Sequence, residues 1–265
     1  MIEKIAESPS RYIGLFRPTK PRAKILQNLL QSHEIRFGGA FEIVIEEYLQ
    51  IKGCEILPKR FVTTNNDILS IDQCFRYKGK VYFIEQKIRD DHDSTKKRGQ
   101  IQNFEKKLDV MLTQFGENEL VGIVYFIDPD LAKNKNFYRA ELQKMSQDYN
   151  VETQIFYGKH IFDCLEMSDV WQEILTYLEV WRKEIPDLPE INFDLNAYHT
   201  FEEIKNLKPP IFRKILSNDQ IFEQIVPTLF PEKNTLKLLL TYFESKETTI
   251  YKNLANMLKQ RIQAW

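Results

Sequence analysis

The nineteen residues from Leu69 to Lys87, L-S-I-D-Q-C-F-R-Y-K-G-K-V-Y-F-I-E-Q-K, constrain the fold of this chain more than any other stretch. They read as two strands, residues 71–77 and 80–87, rich in aromatic and β-branched side chains, with Lys78-Gly79 between them as a two-residue loop. A two-residue loop sets the register. Tyr77 must face Lys80, and counting back along the pair places Asp72 opposite Glu85. Strand side chains alternate between faces, so Glu85 and Lys87 share one face and Gln86 takes the other. Two carboxylates directly opposite each other repel. A divalent cation between them removes that cost, and Mg²⁺ suits a site with few carboxylates and several waters.

These residues resemble a known pattern. Asp72, twelve intervening residues and Glu85-Gln86-Lys87 are similar to the motif of the PD-(D/E)XK nuclease superfamily. The tripeptide E-x-K recurs at Glu105, Glu203 and Glu244, but there it lies in helical patterns with no acid placed opposite by a hairpin. The resemblance implies a Mg²⁺-dependent deoxyribonuclease. Asp72, Glu85 and the backbone carbonyl of Gln86 hold the metal, and Lys87 orients or deprotonates the attacking water and stabilises charge on the phosphate. It also implies a helix before the sheet that lends a glutamate, for which Glu42 has the matching position, and a following helix in which Gln100 or Gln102 faces the site. Asp67 is a rival to Asp72 as the first acid, but it falls at the end of a turn, ahead of the apolar strand. A compact chain without a G-x-x-x-x-G-K-[ST] motif resembles a type II restriction endonuclease, which implies double-stranded DNA as partner and a homodimer. Two other readings stay open. One is a nuclease on the same core acting in repair, junction resolution or transposition. The other is a non-catalytic DNA-binding protein in which Asp72, Glu85 and Lys87 form a structural ion-pair cluster.

Composition sets bounds on this reading. The chain has 265 residues, enough for one large domain or two modest ones, and its 43% hydrophobic content can fill a core. The net charge of −1 excludes diffuse attraction to nucleic acid, so phosphate contacts must be local. Lys96, Lys97 and Arg98 form the densest basic run near Lys87, and they fall in a polar stretch, residues 89–99, read as a surface loop. Arg11, Arg17, Lys20, Arg22 and Lys24 make a second basic segment, either a solvated tail or a phosphate-contacting arm. The three cysteines, Cys54, Cys74 and Cys164, lie far apart with no C-x-x-C pair, which disfavours a zinc site or a disulfide framework. With no signal peptide and no apolar run long enough to span a bilayer, a cytoplasmic protein is expected.

Around the hairpin the pattern runs helix, three strands, helix, strand, helix, strand, helix. Residues 1–20 read as an irregular arm, followed by a short helix from Pro21. Gly38-Gly39 precede a second helix over 40–51 whose buried stripe is Phe41, Val44, Ile45 and Tyr48. Residues 55–62 read as a strand interrupted by Pro58, and residues 63–66 as a turn. A helix over 100–115 follows, then a continuous apolar strand at 120–127, a helix at 135–147, a strand at 151–157 and a helix at 161–181. This order resembles the αβββαβ core of the superfamily over roughly residues 37–160. The expected fold class is therefore α/β, a mixed sheet with a restriction-endonuclease-like core plus a C-terminal all-α domain. The expected domains are an N-terminal arm and helix (1–36), a catalytic domain (37–183) and a helical domain for recognition or dimerisation (199–265). In the last of these, Thr200 to Glu203 reads as a capping box, and Pro209-Pro210, Ser217-Asn218-Asp219 and Asn234-Thr235 read as helix starts.

Overall fold

The hairpin forms as its loop dictates. In a computed structural model, which describes residues 1–62, 68–117 and 119–265, Lys78 and Gly79 both take positive φ (46° and 79°). That is the mirror-image turn whose twist matches paired strands, and Gly79 tolerates it without a steric penalty. Tyr77 pairs with Lys80, and the ladder runs back to Gln73 opposite Ile84.

In chain order the elements are α1 (Ile2–Glu7), a 3₁₀ turn (Pro9–Arg11), α2 (Pro21–Ile51), β1 (Glu55–Ile56), β2 (Arg60–Val62), β3 (Ile68–Ser70), β4 (Gln73–Tyr77), β5 (Lys80–Lys87), α3 (Ser94–Phe115), β6 (Leu120–Phe126), α4 (Lys135–Asp148), β7 (Glu152–Tyr157), α5 (His160–Cys164) and α6 (Ser168–Glu184). Six helices complete the chain: α7 (Ala197–Ile204), α8 (Pro209–Leu216), α9 (Asp219–Gln224), α10 (Val226–Leu229), α11 (Asn234–Glu244) and α12 (Thr249–Ala264). They divide into two compact units, Glu34–Ile185 and Met1–His33 with Pro186–Trp265.

Glu34–Ile185 is built on a five-stranded mixed sheet in the order β1-β4-β5-β6-β7. The pairs β1–β4 and β4–β5 are antiparallel, and β5–β6 and β6–β7 are parallel. Every residue of β6 is buried, as its unbroken apolar run requires of a central strand. One sheet face packs on α2, α5 and α6 through Phe41, Ile45, Leu49, Ile161, Val170 and Ile174. The other packs on α3 and α4 through Phe104, Leu108, Met111, Tyr138 and Leu142. Gly122 on β6 is where this second layer is closest. A Cβ there would lie 2.8 Å from the Phe83 ring and 3.0 Å from that of Phe104, so the two stacked rings need a residue without one.

The structure corrects several local expectations. The segment 21–51 is one 31-residue helix that passes through Gly38-Gly39. Each glycine costs a helix interior about 1 kcal/mol relative to alanine, and the buried side chains of Phe41, Ile45 and Leu49 outweigh that. Leu49 takes the place expected for Val44, which is 40% exposed. Residues 55–62 form two strands, β1 in the main sheet and β2 paired with β3 in a separate hairpin, because Pro58 cannot donate to a ladder. The expected helix over 161–181 breaks into α5 and α6 around Glu166, whose φ is +59°. The turn at 63–66 and the rival acid Asp67 lie outside the described residues.

In the other unit the N-terminal segment is not an irregular arm. Ile5, Tyr12, Ile13 and Ile25 share a core with Phe212, Leu216, Leu239, Phe243 and Leu258 of the C-terminal helices. Thr200 lies inside α7, whose cap is Asn196, accepting from the His199 N–H at 3.2 Å. The start of α11 is stabilised from a distance. Asp194 accepts from the backbone N–H of Thr235 (2.8 Å) and of Glu232 (2.9 Å). Asn218 caps α9 as expected.

Candidate active site

Asp72 lies one residue beyond the last ladder pair, at the position that continues the register to Glu85. Its Oδ2 accepts from the Gln86 N–H at 2.7 Å and so is clasped to the end of β5. Lys87 emerges from the same strand face as Glu85. Its Nζ donates to Glu85 Oε1 (2.7 Å), the Gln86 carbonyl (2.8 Å) and Asp72 Oδ2 (3.3 Å). The three oxygens expected to hold a cation thus converge on one cationic nitrogen.

A second lysine completes the cluster. Lys107, on α3, donates to Glu85 Oε2, and both side chains are 6% exposed. A carboxylate so deeply buried needs that partner. Helical spacing carried the signal: Lys107 is three residues after Phe104 and four before Met111, inside the apolar stripe of α3. Burial alone would raise the Glu85 carboxyl, but Lys87 and Lys107 outweigh it and hold the group below its usual range. Burial opposes charge on Lys87 too, yet Glu85 and Asp72 push its ammonium above the ordinary lysine value.

Glu42 approaches from α2. Its backbone carbonyl accepts from Gln73 Nε2 at 2.6 Å, which ties α2 to the start of β4. Its carboxyl is raised by burial and then by the charge of Asp72, with a smaller contribution from Glu85. The acid expected from the helix before the sheet therefore stands within electrostatic reach of the pair. A carboxyl raised in this way costs stability once it ionises, so Glu42→Gln is expected to raise the unfolding midpoint at neutral pH and to have little effect at pH values below the carboxylate range. If Glu42 also contacts the metal, the same variant binds Ca²⁺ more weakly. Calorimetric titration and denaturation of one preparation read both effects.

Among the described residues, no three His, Cys, Asp or Glu side chains are arranged as a ready metal-ligand group. The donor chemistry nevertheless fits Mg²⁺. Two carboxylates and a main-chain carbonyl are hard oxygen donors, and they already surround a cation, the Lys87 ammonium.

The basic run sits differently from expectation. Residues 94–99 are the first turns of α3, capped by Asp93, whose Oδ1 accepts from the N–H groups of Thr95 (2.9 Å) and Lys96 (2.8 Å). On a helix, three consecutive residues fan through about 200°, so Lys96, Lys97 and Arg98 do not share a face. Lys96 and Arg98 are exposed. Lys97 is held by Asn134 Oδ1 (3.1 Å) and lies over the Phe137 ring. Gln100 accepts from the Tyr138 hydroxyl, which takes up its side-chain carbonyl. Gln86 turns to the other sheet face, where its Oε1 has no partner among the described residues.

Asp90 is fully buried. It accepts from the Asn134 N–H (2.7 Å) and Nδ2 (2.8 Å) and from the Tyr157 hydroxyl (2.9 Å). These bonds tie the loops after β5 and β6 to the end of β7, and through Asn134 they also hold Lys97.

A mixed sheet flanked by helices, with an acid pair and a lysine at the end of its central hairpin, is the arrangement that the PD-(D/E)XK resemblance implies. The family model "Type II restriction endonuclease, HinfI" matches residues 54–182, the stretch that carries Asp72, Glu85, Lys87 and Lys107. This segment, just under half of the chain, is similar to the restriction endonucleases that the family model describes. No curated protein and no solved structure gives a significant match.

Proposed function

We propose that this protein is a Mg²⁺-dependent type II restriction endonuclease that hydrolyses phosphodiester bonds at a specific double-stranded DNA sequence. The observation that carries the reading is the convergence of Asp72, Glu85 and the Gln86 carbonyl on Lys87, within the segment matched by the restriction endonuclease family. Asp72, Glu85 and that carbonyl would hold the metal, with Glu42 as a further candidate. Bound Mg²⁺ supplies a Lewis acid for the phosphoryl oxygen and lowers the pKa of a bound water. Lys87, paired as an ammonium, orients the attacking water and stabilises the charge that develops on the phosphate. As an ammonium it has no lone pair with which to take a proton from that water, so in this state its role is to orient and to stabilise charge. Lys107 stays behind Glu85 and keeps it ionised.

Incubating plasmid DNA with and without Mg²⁺ tests the reading. Discrete fragments that depend on the metal support it. A smear points to a nonspecific nuclease, and no cutting favours the non-catalytic alternative. Two strands need two active sites, so a homodimer on a symmetric sequence is proposed. Sedimentation showing a monomer both free and on DNA would count against it. No helix among the described residues is long and apolar enough to cross a membrane, and a cytoplasmic location is part of the proposal.

The helical placement of the basic run changes what it can contribute. With Lys97 engaged and Lys96 and Arg98 on opposite sides of α3, about one of them faces a duplex. Replacing Lys96 and Arg98 by alanine is expected to flatten the slope of log K against log salt by about 0.9, the value for one phosphate contact. Binding measured in Ca²⁺ across a salt series reads this. An unchanged slope would remove the start of α3 from the DNA interface.

A further inference from the structure

The two most exposed large apolar side chains among the described residues are adjacent. Leu15 is 93% and Phe16 is 97% exposed. They follow directly on Tyr12 and Ile13, which are buried at 3% and 7% in the core shared with the C-terminal helices. The chain re-enters that core at Ile25, which is fully buried. The segment between is therefore anchored at both ends, with its apolar tip turned outward. It is also braced. Arg17 donates from Nε and Nη2 to the Ser10 carbonyl at 3.0 and 2.7 Å, and Pro18 and Pro21 restrict the backbone.

Charge identifies what this tip meets. From Ser8 to His33 the sequence holds five arginines and lysines and no aspartate or glutamate, within a chain of net charge −1. Those five are Arg11, Arg17, Lys20, Arg22 and Lys24, and none of them makes an ion pair among the described residues. Arg11, Arg17, Lys20 and Arg22 are exposed around the Leu15-Phe16 tip. Water gives two apolar side chains no reason to project from a loop, and unpaired cations on both sides of them suit a polyanion with an apolar interior. Duplex DNA has that chemistry: phosphates outside, stacked bases within. Apolar wedges flanked by basic residues enter between base pairs from the minor groove.

We infer that the loop Gly14–Lys20 is a DNA-binding element of this protein, in which Leu15 and Phe16 insert as an apolar wedge against the bases while Arg17, Lys20 and Arg22 hold the adjacent phosphates. This deepens the reading of the protein as a DNA nuclease and rests on it for the partner.

The test uses the full chain in Ca²⁺, with a mixed-sequence duplex titrated across a salt series. Leu15→Ala/Phe16→Ala is expected to weaken binding by about tenfold at every salt concentration, since an apolar contact with a base releases no counterion. Arg17→Ala/Lys20→Ala is expected to flatten the salt slope by about 1.8, two contacts at 0.9 each. Phe16→Trp, which keeps an aromatic ring, retains affinity, and the two Leu15/Phe16 variants melt as wild type because those side chains are exposed. Wild-type affinity in the Leu15/Phe16 variant overturns the inference. So does equal loss of affinity in Phe16→Trp and in Phe16→Ala, which would mark a folding defect. A third overturning result is a variant defect confined to vesicles of phosphatidylserine and phosphatidylcholine with DNA binding intact. If the wild-type protein binds no duplex at all, this inference and the nuclease reading fall together. A wild-type protein that binds but never cuts in Mg²⁺ fails the nuclease reading alone, and the variants still decide the loop.

Discussion

Lys87→Ala is expected to lower the rate of DNA cleavage by about a hundred- to a thousandfold or more, the range seen when one charge-stabilising donor is removed from a reacting centre. Duplex binding in Ca²⁺ is expected to stay near wild type. The reason lies in where Nζ sits. It touches Asp72, Glu85 and the Gln86 carbonyl, the same three oxygens proposed for the metal. Removing the ammonium therefore removes a competitor for those oxygens, and the variant should bind Ca²⁺ at least as tightly as wild type. A combined measurement separates lost chemistry from lost metal: single-turnover cleavage in Mg²⁺ beside calorimetric Ca²⁺ binding. Cleavage at near wild-type rate would take Lys87 out of the reaction. Cleavage and Ca²⁺ binding lost together would instead make Lys87 a support for the metal ligands.

The second large effect is on stability. Lys107→Met keeps much of the side-chain volume but leaves one oxygen of a 6%-exposed carboxylate without its partner. Breaking a buried ion pair from one side costs about 3–5 kcal/mol, and chemical denaturation should register a loss of that order. Lys107→Met/Glu85→Gln should lose less than the two single variants summed, because the second change removes the charge that the first exposed. The sign of the pH dependence follows from Glu85. Its folded carboxyl lies below the ordinary value of 4.5, so its contribution is present above that pH and is lost as the pH falls below it. Glu85→Gln should flatten the stability curve on the acid side of 4.5. A Lys107→Met variant as stable as wild type at neutral pH would show that the pair contributes nothing to folding.

How far the site was legible can be read residue by residue. Asp72, Glu85 and Lys87 were placed together because a two-residue loop leaves a hairpin only one register, and strand periodicity then fixes the faces. Neither step needs information from outside the stretch. The central strand β6 was legible for a similar reason, since an apolar run without alternation fits only a strand covered on both sides. The start of α3 was missed because residues 94–99 carry no apolar periodicity. The cap at Asp93 was the one local sign, and without it Lys96, Lys97 and Arg98 read as a loop.

What the sequence by itself determined is the set of short-range relations: the hairpin, its register, the strand and helix periods, and several helix ends. Tertiary structure alone decided the rest. Lys107 reads as an ordinary helix charge until α3 packs on the sheet and brings it to Glu85, twenty-two positions away. The N-terminal segment reads as an arm until Ile5, Tyr12 and Ile25 find the C-terminal helices in one core. The physical reason is common to both. Turn geometry and periodicity are encoded by neighbouring residues, whereas the partner of a buried charge or of an apolar face depends on contacts between distant segments, and these exist only once the chain has closed on itself.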